Sequence, residues 1–107
     1  MIRSVRDRAM FAALARAPRV RRGPITLSFV PADEPGARVA YALDRRVGSA
    51  VDRNRVRRRL RAAVAVHATT LRGGSYLFGA QRAAIELPFD VVVRSVAELV
   101  AAATRQP

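Results

Sequence analysis

The chain has 107 residues, half of them hydrophobic, with no cysteine and a formal net charge of +12. This composition predicts one domain over residues 1–107 and excludes disulfides and thiolate metal sites. No apolar run approaches the ~18 residues of a membrane-spanning helix. No apolar signal stretch follows the first residues, so we expect a cytoplasmic protein. A small domain this basic attracts polyanions, nucleic acid more readily than an anionic membrane surface.

The N-terminal segment predicts a short helix followed by a basic connector. Ser4 stands three residues before Asp7, the spacing of a capping box, and apolar residues then recur on one helical face as far as about Arg16. Pro18 ends this helix. Residues 19–24 contain three arginines and close on Gly-Pro, which indicates a connecting segment.

Two predicted strands come next. Apolar residues alternate with other residues over 25–30 and again over 39–43, which is the spacing of half-buried strands. A polar turn at residues 31–36 separates them, so we predict that the two strands pair as a hairpin. Residues 44–49 then lead to a glycine turn and leave room for a short strand of their own.

The following segment carries six arginines within nine residues, 53–61, with no acid among them. It nevertheless keeps helical order, because two sets of residues each recur at helical spacing. One face is apolar and carries Val56, Leu60, Ala63 and Val64. Another face is polar and carries Asn54, Arg57, Arg58 and Arg61. We expect the apolar stripe to dock the helix on a core, so that the arginines are held rigidly toward solvent.

The arginine-rich helix is expected to start at a cap formed by Ser49 or Asp52. It should run to about Leu71, where Gly73-Gly74 stops it. Because these glycines follow a helix instead of opening one, they indicate a C-terminal cap and not a phosphate-binding loop.

A strand over residues 75–80 and a last helix complete the predicted elements. Pro88 can start this helix. Its expected buried side comprises Phe89, Val92, Val93, Val96, Leu99 and Val100. The run of three valines at 91–93 would also suit a strand. The element order α-β-β-(β)-α-β-α predicts an α+β sandwich, an αβββαβα arrangement in which helices pack on a small central sheet.

The arginine-rich helix points to phosphate recognition, since guanidinium groups bind phosphate oxygens two at a time. A solvated charged face is the usual alternative for a run of charges. Here like charges recur at i,i+4, as at Arg53 and Arg57, which destabilises an isolated helix and favours a polyanionic partner. Asn54 either caps the helix or forms a hydrogen bond to RNA or to a bound water. No protein active site is evident, because the acids are scattered and the single histidine, His67, lies on the apolar side, where packing is the simpler role.

Residues 39–48, Val-Ala-Tyr-Ala-Leu-Asp-Arg-Arg-Val-Gly, with Ala-Val at 50–51 and Arg-Asn-Arg at 53–55, resemble the signature of the bacterial ribonuclease P protein family. The resemblance implies a fold like the second domain of ribosomal protein S5, with a left-handed β-α-β crossover. It also implies a non-catalytic subunit that assists a catalytic RNA. That RNA holds most of the Mg²⁺ and removes the 5′ leader of precursor tRNA. The RNA-binding residues implied in this way are Arg45, Arg46, Arg53, Asn54, Arg55, Arg57, Arg58 and Arg61.

The same resemblance implies a cleft between the sheet and the arginine-rich helix that binds the leader. Its expected lining is Phe11, Ile25, Leu27 and Phe29. Stacking of bases on the two phenylalanines would suit binding of an RNA strand without strong sequence preference. Both phenylalanines would also suit ordinary core positions, and the sequence leaves that alternative open.

Two other functional classes fit part of the sequence. A small ribosomal or other rRNA-binding protein would have an equally basic α+β composition. A protein that lies on a membrane surface fits less well, because the arginine-rich helix carries no Trp or Phe on its apolar side. The sequence therefore favours RNA over a membrane as the partner, and it indicates no particular oligomeric state.

Overall fold

The computed structural model describes residues 2–105 and places five strands, three α-helices and one short 3-10 turn within them. The strands are β1 (Arg3–Ser4), β2 (Arg19–Arg22), β3 (Ile25–Pro31), β4 (Ala37–Ala42) and β5 (Gly74–Ala80). The helices are α1 (Arg8–Arg16), α2 (Ala50–Val66) and α3 (Phe89–Thr104), and the 3-10 turn covers Arg82–Ile85. The predicted α+β class, with helices on a small sheet, is confirmed. None of the helices in this range is both long and apolar enough to cross a bilayer.

The strands form one sheet in the order β1-β4-β5-β3-β2. β5 lies at the centre, antiparallel to β3 and parallel to β4. The predicted hairpin of β3 with β4 is therefore wrong, since β5 separates them. β5 carries no charged residue and is mostly buried, which suits its central position between two hydrogen-bonded neighbours. β4, α2 and β5 form a β-α-β unit between adjacent parallel strands, and its left-handed crossover stays a prediction.

The hairpin that does form lies earlier in the chain. β2 pairs antiparallel with β3, so the segment expected to be a basic connector is an edge strand. Gly23 has a φ of +56° in the two-residue turn between them, a conformation that glycine adopts without strain. Arg19, Val20 and Arg21 alternate as a strand does, and Val20 packs against the core.

α2 and α3 pack on one face of the sheet and enclose the main core with it. The apolar stripe predicted for α2 is confirmed, because all of its members are buried. They are Val56, Leu60, Ala63 and Val64. α3 buries Val92, Val96 and Leu99 and half-buries Val93 and Val100. Phe89 is 43% exposed, so the prediction that it is buried is wrong; Ile85 and Leu87, just before the helix, pack against the core.

α1 packs on the opposite face of the sheet, where Leu14 is buried beside Ala40. The helix is capped by Asp7, whose carboxylate accepts a hydrogen bond from the Ala9 amide at 2.9 Å. The capping box predicted between Ser4 and Asp7 is wrong, because Ser4 belongs to β1 and pairs with β4.

α2 ends at Val66, with His67 at the C-terminal cap position, and not near Leu71 as predicted. The hydroxyl of Thr70 donates to the His67 carbonyl oxygen, and the residues after the cap form turns. Threonine hydroxyls compete in this way with the hydrogen bonds of a helix. The predicted stop at the following glycine pair is therefore wrong.

Candidate nucleic-acid interface

The arginine-rich helix starts from a closely packed turn. Ser49 and Asp52 form a capping box, in which Ser49 Oγ accepts from the Asp52 amide at 3.2 Å and Asp52 Oδ2 accepts from the Ser49 amide at 3.1 Å. The hydrogen bonds that the Ser49 amide and hydroxyl donate to this carboxylate, with a smaller contribution from the charge of Arg82, hold the pKa of Asp52 below its ordinary value. Gly48 precedes the cap at a φ of +144°, and a Cβ there would lie 2.4 Å from Asp52 Oδ2. The packing therefore requires glycine and sets the position at which α2 begins.

The residues predicted to bind RNA lie together on α2 and on the turn before it, and we call them the arginine surface. They are Arg45, Arg46, Arg53, Asn54, Arg55, Arg57, Arg58 and Arg61, and all are exposed or half-buried. The surface lies outside the buried stripe of α2. A helix docked through its apolar side thus holds a dense positive charge toward solvent, as the sequence predicted.

One acid pairs with this surface at its edge. Asp44 Oδ2 lies 2.9 Å from the Arg46 guanidinium, and the Asp44 carboxylate also accepts from the Arg46 amide. These hydrogen bonds hold the pKa of Asp44 below its usual value. An exposed pair of this kind contributes little to stability. Arg46 can therefore exchange Asp44 for a phosphate at small cost.

Asn54 belongs to the arginine surface and does not cap the helix. The cap is Ser49, and Asn54 lies beyond the first turn with its Oδ1 accepting from the Arg57 guanidinium at 3.3 Å. The alternative that Asn54 caps α2 is therefore wrong. The side chain is exposed beside Arg57, where it orients a neighbouring guanidinium.

An edge groove of about 490 Å³ continues the arginine surface between β1, β4 and α2. Arg57 and Arg61 line it together with Arg3 and Tyr41. The Arg61 guanidinium lies 5.8 Å from the centroid of the Tyr41 ring, within cation–π range. Burial raises the pKa of the Tyr41 hydroxyl, and the nearby Arg61 offsets part of that rise. The ring therefore helps to orient Arg61, and the edge groove is a basic extension of the interface.

A second groove, which we call the sheet groove, lies on the face of the sheet opposite α2 and α3. It measures about 340 Å³. Thr26 and Ser28 of β3 line it, with Arg19 and Arg21 of β2 and Arg46 from the turn before α2. Among the described residues its lining includes no aromatic side chain. The sheet groove can therefore offer guanidinium and hydroxyl groups to a ligand, but no stacking platform.

The predicted lining of the leader cleft is wrong for β3. Ile25 and Leu27 are fully buried and Phe29 is 9% exposed, and all three belong to the core that the sheet shares with α2 and α3. Phe29 packs against Tyr76 with ring centroids 4.8 Å apart. Side chains alternate along a strand, so the residues between these three line the sheet groove. Phe11, on α1, is 40% exposed and is the accessible member of the predicted set.

Sequence reasoning missed two residues of the sheet groove, Arg19 and Arg21. The charge of this segment and its Gly-Pro end indicate a connector. The alternation around Val20, directly before a two-residue turn and a clear strand, is the signal that predicts the first strand of a hairpin.

The single histidine has a structural partner. The ring Nε2 of His67 lies 3.1 Å from the Val93 carbonyl oxygen, which ties the end of α2 to α3 and agrees with the packing role expected for it. Within residues 2–105 no three of His, Cys, Asp and Glu lie close enough to hold a metal ion. The chemistry that the arginine surface and the two grooves can perform is the binding of polyanions.

An α+β fold with an arginine-bearing helix and two basic grooves defines a protein of the RNA-binding class. Comparison with known proteins shows which family of RNA-binding proteins the chain belongs to. The family model described as Ribonuclease P matches residues 3–104, and the chain belongs to the ribonuclease P protein family. The ribonuclease P protein component of Bartonella quintana is 34% identical over 111 aligned residues, which cover 94% of this chain and 83% of that protein.

Solved structures show the same fold. The ribonuclease P protein of Staphylococcus aureus superimposes with a TM-score of 0.80 at 16% identity, covering 94% of each chain. That of Thermotoga maritima gives a TM-score of 0.79 at 16% identity, covering 91% of this chain and 94% of its own. Membership of the family makes the chain a protein subunit of ribonuclease P, an endoribonuclease of tRNA processing with a partner RNA subunit. A ribosomal protein is not favoured.

Proposed function

We propose that the arginine surface binds the RNA subunit of ribonuclease P and that the sheet groove accepts the 5′ leader of precursor tRNA. The observation that carries this proposal is the division of α2 into a wholly buried stripe and a face of accessible arginines, anchored by a capping box. A helix anchored in this way does not have to become ordered when it binds, which saves conformational entropy. Each guanidinium can then bind phosphate oxygens in pairs.

We assign phosphodiester hydrolysis to the RNA subunit together with Mg²⁺ held mainly by that RNA. The donor set of the protein does not fit a Mg²⁺ site of its own, because the carboxylates beside the arginine surface already have partners. Asp44 is bound by Arg46, and Asp52 is bound by the Ser49 amide and hydroxyl. The role of the protein is then electrostatic. Its arginines reduce the repulsion between RNA phosphates, which Mg²⁺ would otherwise have to screen.

The composition of the sheet groove supports a particular mode of leader binding. Arg19, Arg21 and Arg46 would contact phosphates, and the half-buried hydroxyl of Thr26 would contact a phosphate or sugar oxygen. The lining offers no ring for base stacking, so the leader is bound here through its backbone. We therefore expect binding in the sheet groove to depend on leader length and salt more than on leader sequence.

The test is reconstitution of the holoenzyme from the full chain and its RNA subunit, with cleavage of precursor tRNA followed as a function of Mg²⁺ concentration. The protein alone should not cleave, and its addition to the RNA should permit cleavage at lower Mg²⁺. The double variant Arg57→Ala/Arg58→Ala should raise the Mg²⁺ concentration required and leave the rate at saturating Mg²⁺ nearly unchanged.

The control is Arg94→Ala/Arg105→Ala, which removes the same charge from one exposed position within α3 and one directly after it. If this control shifts the Mg²⁺ requirement as far as the α2 variant, net charge and not the arginine surface is responsible. Cleavage by protein stringently freed of RNA, and abolished by substitution of His67, would contradict the assignment of the chemistry to RNA.

A further inference from the structure

One arginine of α2 is engaged by the protein itself. Arg59 Nη1 donates to the carbonyl oxygens of Ala84 at 2.9 Å and Ile85 at 3.0 Å, and Nη2 donates to the carbonyl oxygen of Leu87. These acceptors lie in the 3-10 turn and the residues after it, which join β5 to α3. The guanidinium therefore connects the middle of α2 to a segment 25–28 residues further along the chain.

The three carbonyl groups need such a donor. Carbonyls at the end of a short helical turn lack partners within the turn. Ala84 is buried, and Ile85 and Leu87 pack against the core, so water has limited access to this side of the segment. A half-buried guanidinium satisfies the carbonyls with charged hydrogen bonds, which are stronger than neutral ones.

The same segment also reaches the start of α2. Arg82 donates to the Val47 carbonyl oxygen at 3.3 Å and lies 3.8 Å from the Asp52 carboxylate. An added Cβ at Gly48 would lie 2.8 Å from the Arg82 guanidinium, so that group is packed against the turn. An exposed ion pair is weak by itself. The position of Arg82 therefore depends on how firmly its own backbone segment is held.

We propose that Arg59 is a positioning residue for the arginine surface. It holds residues 84–87 against α2, and this segment places Arg82 on the turn from which α2 starts. Arg59 makes no RNA contact in this arrangement, whereas its neighbour Arg58 is exposed and belongs to the arginine surface. The consequence for RNA binding rests on the proposed function, but the connection from Arg59 to the turn does not.

Amide hydrogen exchange of the free protein tests that connection. Four amides report on it, because each is hydrogen-bonded within the 3-10 segment or the turn. They are Ala84 and Glu86 in the segment and Val47 and Gly48 in the turn. Arg59→Met removes three charged hydrogen bonds and should speed exchange at all four amides by about tenfold or more, since the loss of even one such bond corresponds to about tenfold. The matched variant Arg58→Met should leave them unchanged.

A charge-conserving variant separates geometry from charge and also covers the case in which Arg59→Met does not fold. Arg59→Lys keeps the positive charge but loses the planar fork that reaches three carbonyls. It should speed exchange at the same four amides. Amides of the central strand β5 should keep their protection in every variant, since they are buried in the sheet.

RNA binding measured across salt concentrations supplies the second readout. Arg59→Met should weaken binding to the RNA subunit and leave the slope of log K against log salt as in the wild type. Arg58→Met should make that slope shallower by about 0.9, the loss of one phosphate contact. Arg59→Lys should weaken binding even though the charge is kept, whereas Arg58→Lys should preserve the slope.

Two results would overturn the proposal. One is unchanged exchange at Val47 and Gly48 in Arg59→Met and Arg59→Lys. The other is a loss of slope in Arg59→Met equal to that in Arg58→Met, which would make Arg59 a phosphate contact. A wild-type slope near zero would instead contradict the proposed RNA interface, and the exchange measurement would still decide the role of Arg59.

Discussion

The arginine surface and the sheet groove are both basic, but they are assembled in different ways. The arginine surface lies on one helix and the turn before it, so that its members are neighbours in sequence and in space. The sheet groove combines an edge strand, the polar side of β3 and a distant turn, which the order of strands brings together. Arg46 belongs to both regions.

This contrast suggests a division of labour. A single helix can supply a high density of positive charge, and this charge provides affinity for any RNA with enough phosphates. A groove on a sheet has a shape, and it can distinguish a single strand that fits from a duplex that does not. We therefore expect most of the binding free energy to come from the arginine surface, and the preference for RNA with a leader to come from the sheet groove.

Phe29→Ala should have the largest effect, on stability. Phe29 is almost fully buried against Tyr76, so its truncation should lower the free energy of unfolding by about 3 kcal/mol or more. Urea denaturation measures this. Thr26→Ala, on the groove side of the same strand, should change stability by less than about 1 kcal/mol. If a Phe29→Ala variant keeps its stability but binds leader-containing RNA poorly, Phe29 lines the leader cleft and is not a core residue.

Gly48→Ala should have the next largest effect. The new Cβ would meet the Asp52 carboxylate and the backbone would be strained at a φ of +144°, so we expect a loss of about 2–3 kcal/mol of stability. RNA binding should weaken as well, since α2 starts from this turn. Gly36→Ala is the control, because Gly36 has a φ of +109° but no atom within 4 Å of the added Cβ. Equal losses in the two variants would show that strain alone is responsible.

Paired arginine variants compare the two regions directly. Arg57→Ala/Arg58→Ala should make the salt slope for the RNA subunit shallower by about 1.8, the loss of two contacts. Arg19→Ala/Arg21→Ala should leave that slope unchanged and reduce the slope for leader-containing precursor by about 1.4, the single-strand value for two contacts. Binding of mature tRNA is the control. If the second pair weakens precursor and mature tRNA alike, the sheet groove does not bind the leader.

The smallest expected effect is on the stability of the protein at acidic pH. The folded state holds the pKa of Asp52 below its ordinary value. The ionised carboxylate therefore stabilises the fold above the pKa of the unfolded chain, and this contribution is lost as the pH falls through the lower folded pKa. Asp52→Asn should flatten the fall in stability below about pH 4. Asp44→Asn alters only an exposed pair, so a larger flattening there would contradict the role given to the capping box.

The features that sequence predicted correctly are those of short range. The stripe of Val56, Leu60, Ala63 and Val64 and the cap at Ser49 depend on residues within one or two turns of each other. The family signature lies in the same stretch. Apart from the end of α2, the features predicted wrongly depend on partners elsewhere in the chain. Residues 19–22 are polar, which by itself indicates a connector. In the fold they pair with β3 and form an edge strand.

By itself the sequence determined that this protein has a rigid, arginine-bearing helix and belongs with RNA, because helical period, capping and charge are local properties. Only the tertiary structure decided which face of β3 is open, since that follows from the packing of α2 and α3 on the other face of the sheet. It also separated two adjacent arginines that look alike in sequence. Arg58 is exposed, whereas Arg59 meets carbonyl groups from a distant segment, and a contact of that range is visible only after the chain has folded.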